Sequence, residues 1–170
     1  MRILIIFIFL VNNFYYHCCT CIGPETIEED FKQSDFIFEG TVIAKEVVWV
    51  KDTLYPQLVE KGYLKAGSDN RDSVQLVRTT IQIEKRFKGR IKKDQITIYS
   101  GFGDIDCGFR FIVGQKYIVF ASQNRYVEWN EPEGAKSILK VNTSQCGFTS
   151  SYDQEKSKII KRLTRNKNKH

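Results

Sequence analysis

Apolar and polar positions divide the chain into a greasy leader, a series of alternating strands and a closing helix. Ile3 to Val11 is an apolar run of nine residues behind the single charge of Arg2, which is a signal-peptide pattern. It is too short to cross a bilayer, which needs about 20 residues, and no longer apolar run follows. Thr26-Ile27-Glu28-Glu29 has the T-x-x-E form of a capping box, and Ile27 and Phe31 share a helical face. A short helix is therefore predicted over about residues 26–33, ending near Ser34-Asp35.

Strand periodicity takes over at Phe36. Phe36, Phe38, Gly40, Val42 and Ala44 fall on one side of a strand running to Val50, with Glu39, Thr41 and Lys45 on the other. Gly40 inside that strand marks a bulge or a sharp coil. Val74 to Lys88 alternates as well, with Thr79, Ile81, Ile83 and Phe87 predicted to share a face. Gln95 to Ser100 puts Ile96 and Ile98 inward, Lys116 to Ser122 is apolar on both sides, and Lys136 to Val141 is a further short strand. Tyr152 to Arg165 carries Ile159, Ile160 and Leu163 at helical spacing. Between these elements lie two polar loops, 51–73 and 123–135; the first is long enough to be a mobile hairpin tip. About five short strands with one early and one late helix predict a mainly β fold, a small, twisted, OB-like five-stranded barrel.

Charge changes this picture little. The formal net charge is +6, but residues 155–170 hold seven basic side chains and one acidic one, and Arg2 lies in the leader, so the rest of the chain is one charge negative. A basic helix end on a near-neutral body reads as a solvated face. Cysteine usage matters more. Cys18, Cys19 and Cys21 crowd the end of the leader, and Cys107 and Cys146 lie far downstream. Cleavage after Cys18 makes Cys19 the first residue and leaves an even number of cysteines; cleavage before Cys18 leaves an odd thiol. Tyr16-His17-Cys18 has neither the small residues of a signal-peptidase site nor a full lipoprotein box, so lipid attachment at Cys18 or Cys19 stays open. The expected organisation is a signal peptide over 1–18, one domain over 19–165 and a basic tail over 166–170. The expected address is secreted or cell-envelope, where disulfides persist.

Composition also excludes chemistry. The two histidines are His17, in the leader, and His170, the last residue. A domain without internal histidine builds neither a Ser-His-Asp nor a Cys-His site, nor the usual histidine-containing catalytic zinc site. Gly101-Phe102-Gly103-Asp104 lacks the spacing and following helix of a dinucleotide loop. Asp104 and Asp106 are the nearest pair of carboxylates in that region and read as loop polarity beside Cys107. No strand shows the interleaved aromatic and basic residues of a nucleic-acid face. Asn142-Thr143-Ser144 fits a glycosylation sequon. No enzyme activity, cofactor or nucleic-acid partner is expected.

Cys19-Thr20-Cys21-Ile22, Ser34-Asp35 opening the first strand, Asp106-Cys107-Gly108-Phe109, Gly114-Gln115-Lys116-Tyr117-Ile118-Val119-Phe120 and a final Cys146 occur in the order found in one known family. The chain resembles the amino-terminal, netrin-like domain of the tissue inhibitors of metalloproteinases, and single-domain exported bacterial proteins of that type. The resemblance covers roughly residues 19–150 and implies the netrin-like form of the OB barrel. It also implies disulfides joining Cys19 to Cys107 and Cys21 to Cys146, each contributing about 4–5 kcal/mol in the chain-entropy model. The family's third disulfide in this domain and its carboxy-terminal domain have no counterpart here.

Two functions follow as expectations. The first is a non-inhibitory netrin-like module that binds an extracellular or envelope protein. The alternative is an inhibitor of a zinc endopeptidase. There, by resemblance, the amine and carbonyl of Cys19 ligate the partner protease's zinc, Thr20 enters the specificity pocket, and Cys21, Ile22 and Asp106 flank it. The only metal in either reading belongs to that partner.

Overall fold

The structure is a computed structural model, and it describes residues 23–52, 59–62, 73–103, 106–123, 126–128, 140–144 and 146–167. Helix α1 spans Ile27–Gln33, and the strands are β1 (Phe36–Asp52), β2 (Ser73–Lys88), β3 (Gln95–Ser100), β4 (Lys116–Gln123), β5 (Tyr126–Glu128), β6 (Lys140–Asn142) and β7 (Ser150–Ser151). Helix α2, Gln154–Lys167, closes the order. The predicted elements are present, with two short additions, β5 and β7. The 51–73 loop and residues 136–139 of the predicted fifth strand fall largely or wholly outside the described residues.

Five strands form a ring in the order β1-β2-β3-β6-β4, closed by antiparallel pairing of β1 with β4. The β3–β6 pair is parallel and the other pairs are antiparallel. Ring closure demands that β1 curl. Phe36 pairs with Ala121 at one end of β1 and Asp52 with Tyr126 at the other. The chain from Ala121 to Tyr126 reaches at most about 18 Å, whereas the 17 residues of β1, if straight, would span about 55 Å. The register of β1 against β2 shows how the strand turns: partners jump between Ile37 and Phe38, between Glu39 and Gly40, and between Val42 and Ala44. Phe87 and Glu84 are thereby the extra residues on β2, and Ile43 is the extra residue on β1. Such bulges bend a strand and raise its twist. Gly40 sits at one of them because a Cβ there would lie 2.4 Å from Gln82 O and 2.6 Å from Ile81 Cγ2.

The bulges also correct the alternation read from sequence. Thr79, Ile81 and Ile83 are buried, and Ile81 and Ile83 join Phe38, Val42, Ile96, Ile98 and Tyr117 inside the ring. Phe87 does not join them. It lies past the Glu84 bulge, is itself the extra residue of the next, and packs with Phe31, Ile37, Ile118, Phe120 and Ile160 in a second core outside the ring, under the two helices. A third, smaller cluster of Val50, Leu76 and Tyr99 lines the far part of the β1–β2 hairpin.

Local sequence places both helices. Thr26 caps α1, its side chain accepting from Glu29 N at 3.2 Å, while Glu29 Oε2 accepts from Glu25 N at 2.9 Å. Asp153 caps α2 by accepting from Glu155 N and Lys156 N at 2.7 and 3.1 Å. Helix α2 is then pinned to the ring by buried Ile160 and by Ser157, whose hydroxyl donates to Glu39. Glu39 is only 4% exposed and is neutralised by Lys85 Nζ at 3.6 Å and Lys116 Nζ at 3.9 Å. Among the described residues, no helix is long and apolar enough to cross a membrane.

Two substitutions test this packing in opposite directions. Gly40→Ala is expected to lower stability by about 1–3 kcal/mol, because its methyl must displace the β2 backbone. Thr79→Val is expected to raise stability by roughly 1 kcal/mol, because the Thr79 hydroxyl is buried without a hydrogen-bond partner. Urea denaturation measures both; midpoints moving the other way would contradict the packing.

Candidate binding site

The loop between β3 and β4 is organised around one carboxylate. Asp106 accepts backbone N–H groups from Phe102, Gly103 and Gly108 at 2.6, 2.8 and 3.1 Å. Burial opposes its ionisation, but those N–H groups outweigh it and hold the carboxyl below the usual aspartate value. Gly101 and Gly108 are required by close approach: a Cβ at Gly101 would sit 2.3 Å from Asp106 Oδ2, and one at Gly108 2.1 Å from the Gly101 carbonyl carbon. Cys107, held between Asp106 and Gly108, has a left-handed backbone with φ 55°. Asp106 therefore faces inward as the loop's organiser and fixes the direction in which Cys107 points.

The chain after this loop is equally constrained. Phe109, Phe111 and Tyr117 pack as three rings with centroids 4.6–5.6 Å apart. Ile112 N donates to the Tyr117 hydroxyl at 3.0 Å. Gly114 N then donates to Val42 O at 2.8 Å, which lays the 112–114 turn beside Ile43.

Three large apolar side chains on the β1–β2 hairpin and in the loop after β3 are exposed. Val47 is 54% exposed, Trp49 55% and Phe102 39%. Val47 pairs with Val77, and Val77 with Ser100; those two are buried, so Val47 is the exposed end of that row, and Phe102 lies in the loop two residues after Ser100. Trp49 is on the same face as Val47, since side chains two apart along a strand point the same way. Ile43, Ile112 and Val113 are exposed as well. The opposite face of the hairpin is closed. There Arg78 bridges Glu46 at 2.8 Å and Glu128 at 2.6 Å, and the Tyr99 hydroxyl donates to Glu128. Burial disfavours the Arg78 charge, but its hydrogen bonds to Glu128 and Glu46 prevail and raise its pKa.

Cys19, Thr20, Cys21 and Ile22 lie outside the described residues. Cys107 and Cys146 are in the half-cystine state. Gly23, the first described residue, packs directly on Cys146: a Cβ at Gly23 would lie 2.0 Å from Cys146 O and 3.3 Å from Cys146 Cβ. The described residues contain no group of three or more His, Cys, Asp or Glu side chains placed to hold a metal. Sequence reasoning missed Val47, Trp49 and Phe102 as surface. The available signal was Val47-Val48-Trp49-Val50, which is apolar on both faces of a strand that has only one face to bury. No protein-family model matches the sequence, and a search of curated proteins finds no match.

Asp106→Ala is expected to cost on the order of 1 kcal/mol at neutral pH, a small figure because the side chain is largely exposed. Because the folded pKa is lowered, the contribution is complete above the unfolded value of about 3.9 and is lost as pH falls through the folded value. Thermal unfolding of both forms at pH 7 and pH 3 is expected to show the gap narrowing in acid; a gap that widens would contradict the assignment.

Proposed function

We propose that the chain is an exported, disulfide-stapled module of the netrin-like type that binds a protein partner at Val47, Trp49 and Phe102. The observation that carries this reading is the exposure of Val47 and Trp49 on one face of β1, with Phe102 exposed in the loop that follows β3. Exposed groups of large apolar side chains mark interaction sites on folded domains. In this reading the leader is removed after Cys18, Cys19 pairs with Cys107, and Cys21 pairs with Cys146. The contact of Gly23 with Cys146 supports the second pair: two residues of chain span about 7 Å, close to the Cα separation a disulfide needs.

The second reading, inhibition of a zinc endopeptidase through the Cys19 amine and carbonyl, draws on the same loop. Three backbone donors on Asp106 hold Cys107 in a single geometry, and a terminus tied to such an anchor loses little freedom on binding. The protein acts as a binder rather than an enzyme in both readings, and it needs no cofactor of its own.

One set of proteins separates the two. The mature chain, a form with one extra residue ahead of Cys19, and Trp49→Ser are titrated against a panel of zinc endopeptidases and cross-linked to partners at the producing cell's surface. The module reading expects no inhibition by the mature or the extended form. It also expects a cross-linked partner that Trp49→Ser loses at least tenfold while unfolding within about 0.5 kcal/mol of the parent. Inhibition by the mature form alone, weakening as pH falls through the α-amine range of about 7.7–8.0, would replace it with the inhibitor reading. Equal inhibition by both forms would sink chelation, and full retention of the partner by Trp49→Ser would sink this surface.

A further inference from the structure

Positive charge gathers at one end of the molecule. Six of the nine residues 85–93 are Lys or Arg, and none is acidic. The same is true of six of the twelve residues 156–167. These two stretches hold twelve of the chain's 26 bases, so the rest carries 14 bases against 20 acids and is six charges negative. The fold brings the two stretches together. Residues 85–93 are the end of β2 and the turn into β3, and residues 156–167 are most of α2. The Thr164 hydroxyl reaches Phe87 O at 3.3 Å, and Lys85 Nζ donates to Ser157 Oγ at 3.2 Å, which lays the helix along the strand end. Ile160 is buried beneath it, while Lys158, Lys161, Arg162 and Arg165 are exposed on the opposite face. Glu155 holds Lys158 at 2.7 Å and Asp94 holds Arg86 at 2.8 Å. Among the described residues, Arg90, Lys92, Lys93, Lys161, Arg162 and Arg165 form no ion pair. Like charges four apart weaken a helix, and an anionic partner offsets that repulsion.

The same end carries an apolar slot. It lies between α1 and α2, has a volume of about 400 Å³, and is lined by Phe31, Leu163, Lys32, Lys88 and Glu28. Phe31 and Leu163 supply its apolar surface, and lysine stems add more, since such side chains bury their methylenes and keep the ammonium in water. The Lys88 ammonium is fixed at the edge by Phe31 O and Lys32 O at 2.6 and 2.9 Å. A soluble polyanion would use the cations and leave the slot empty. An acidic lipid uses both, with its phosphate among the bases and an acyl chain against Phe31 and Leu163. We propose that this end of the molecule docks on a membrane surface bearing acidic phospholipids. The docking face stands apart from the apolar side chains of the β1–β2 hairpin. Val77, the partner of Val47, and Lys88 are eleven residues apart on β2, so each surface can be occupied without the other.

The chain as recovered from its producing cell is sedimented with vesicles of phosphatidylcholine, alone or with about one-third phosphatidylglycerol. Binding to the mixed vesicles is expected to be at least tenfold tighter, and to fall at least tenfold between about 0.05 and 0.5 M NaCl. The triple variant Lys161→Gln, Arg162→Gln, Arg165→Gln should weaken that binding on the order of 100-fold at low salt, from about 1 kcal/mol per base. Arg90→Gln, Lys92→Gln, Lys93→Gln should do the same, whereas Lys45→Gln with Lys61→Gln, outside this surface, should cost less than about threefold. Dihexanoylphosphatidylglycerol below its micelle concentration should shift the Leu163 methyl resonances and leave Val141 in place; glycerol phosphate, the head group alone, should leave both in place. Equal binding to the two vesicle types, or equal losses in all three variants, would overturn the docking face. Leu163 methyls that ignore the short-chain lipid, in a chain that binds dextran sulfate as tightly as vesicles, would replace the membrane with a soluble polyanion. Should either triple variant fail to fold, the other and the salt dependence of the unaltered chain decide.

Discussion

The whole architecture depends on one strand being shared among three partners. β1 pairs with β2 along nearly its full length, with β4 at its start and with β5 at its end. A straight strand cannot meet both β4 and β5, because too little chain connects those two. Three register shifts against β2 resolve the conflict by bending the strand, and each shift has a second effect. It moves the following side chains to the other face of the sheet, so that Ile83 is packed inside the ring and Phe87 outside it, beneath the helices. The same strand is thus core on both faces near its start and on one face near its end, where Val50 is buried while Val47 and Trp49 are exposed.

Three carboxylates do different work on this frame. Glu39 is buried against Ser157, with two partly exposed lysines beside it, and it ties α2 to the ring. Removing those partners costs stability because a buried carboxylate is left uncompensated. Asp106 is exposed and is satisfied wholly by backbone N–H groups of its own loop. Asp30 is buried, accepts hydrogen bonds from Ser34 and Phe148 N beside the charge of Lys156, and joins α1 to the turn after Cys146. Their differing surroundings, more than their shared chemistry, set what each one does.

Much of the fold was legible because local and global preferences agree. Thr26 and Glu29 announced α1, Ile96 and Ile98 announced a half-buried β3, and the apolar run of β4 announced burial on both faces. The face assignment failed at Phe87 because a bulge is set by the partner strand's register, which a period-two count along one strand does not contain. Glu39 looked like surface for a related reason: the sequence around it is that of a solvated strand face, and the helix that covers it lies more than 100 residues later. Asp106 was identified as a residue of note beside Cys107, but its inward role comes from Gly101, Gly103 and Gly108 wrapping around it. The exposed apolar surface was hidden because an apolar strand residue is ordinarily read as core, and only the sheet's limited coverage exposes Val47 and Trp49.

The sharing of β1 also governs the order in which the protein is made. Its opening residue, Phe36, waits for Ala121 before the ring can close, so nearly the whole chain must be synthesised first. Topologies dominated by such distant pairings fold slowly. Until closure, the β1–β2 hairpin stands alone, with the ring's future interior and the side chains of Val47 and Trp49 open together.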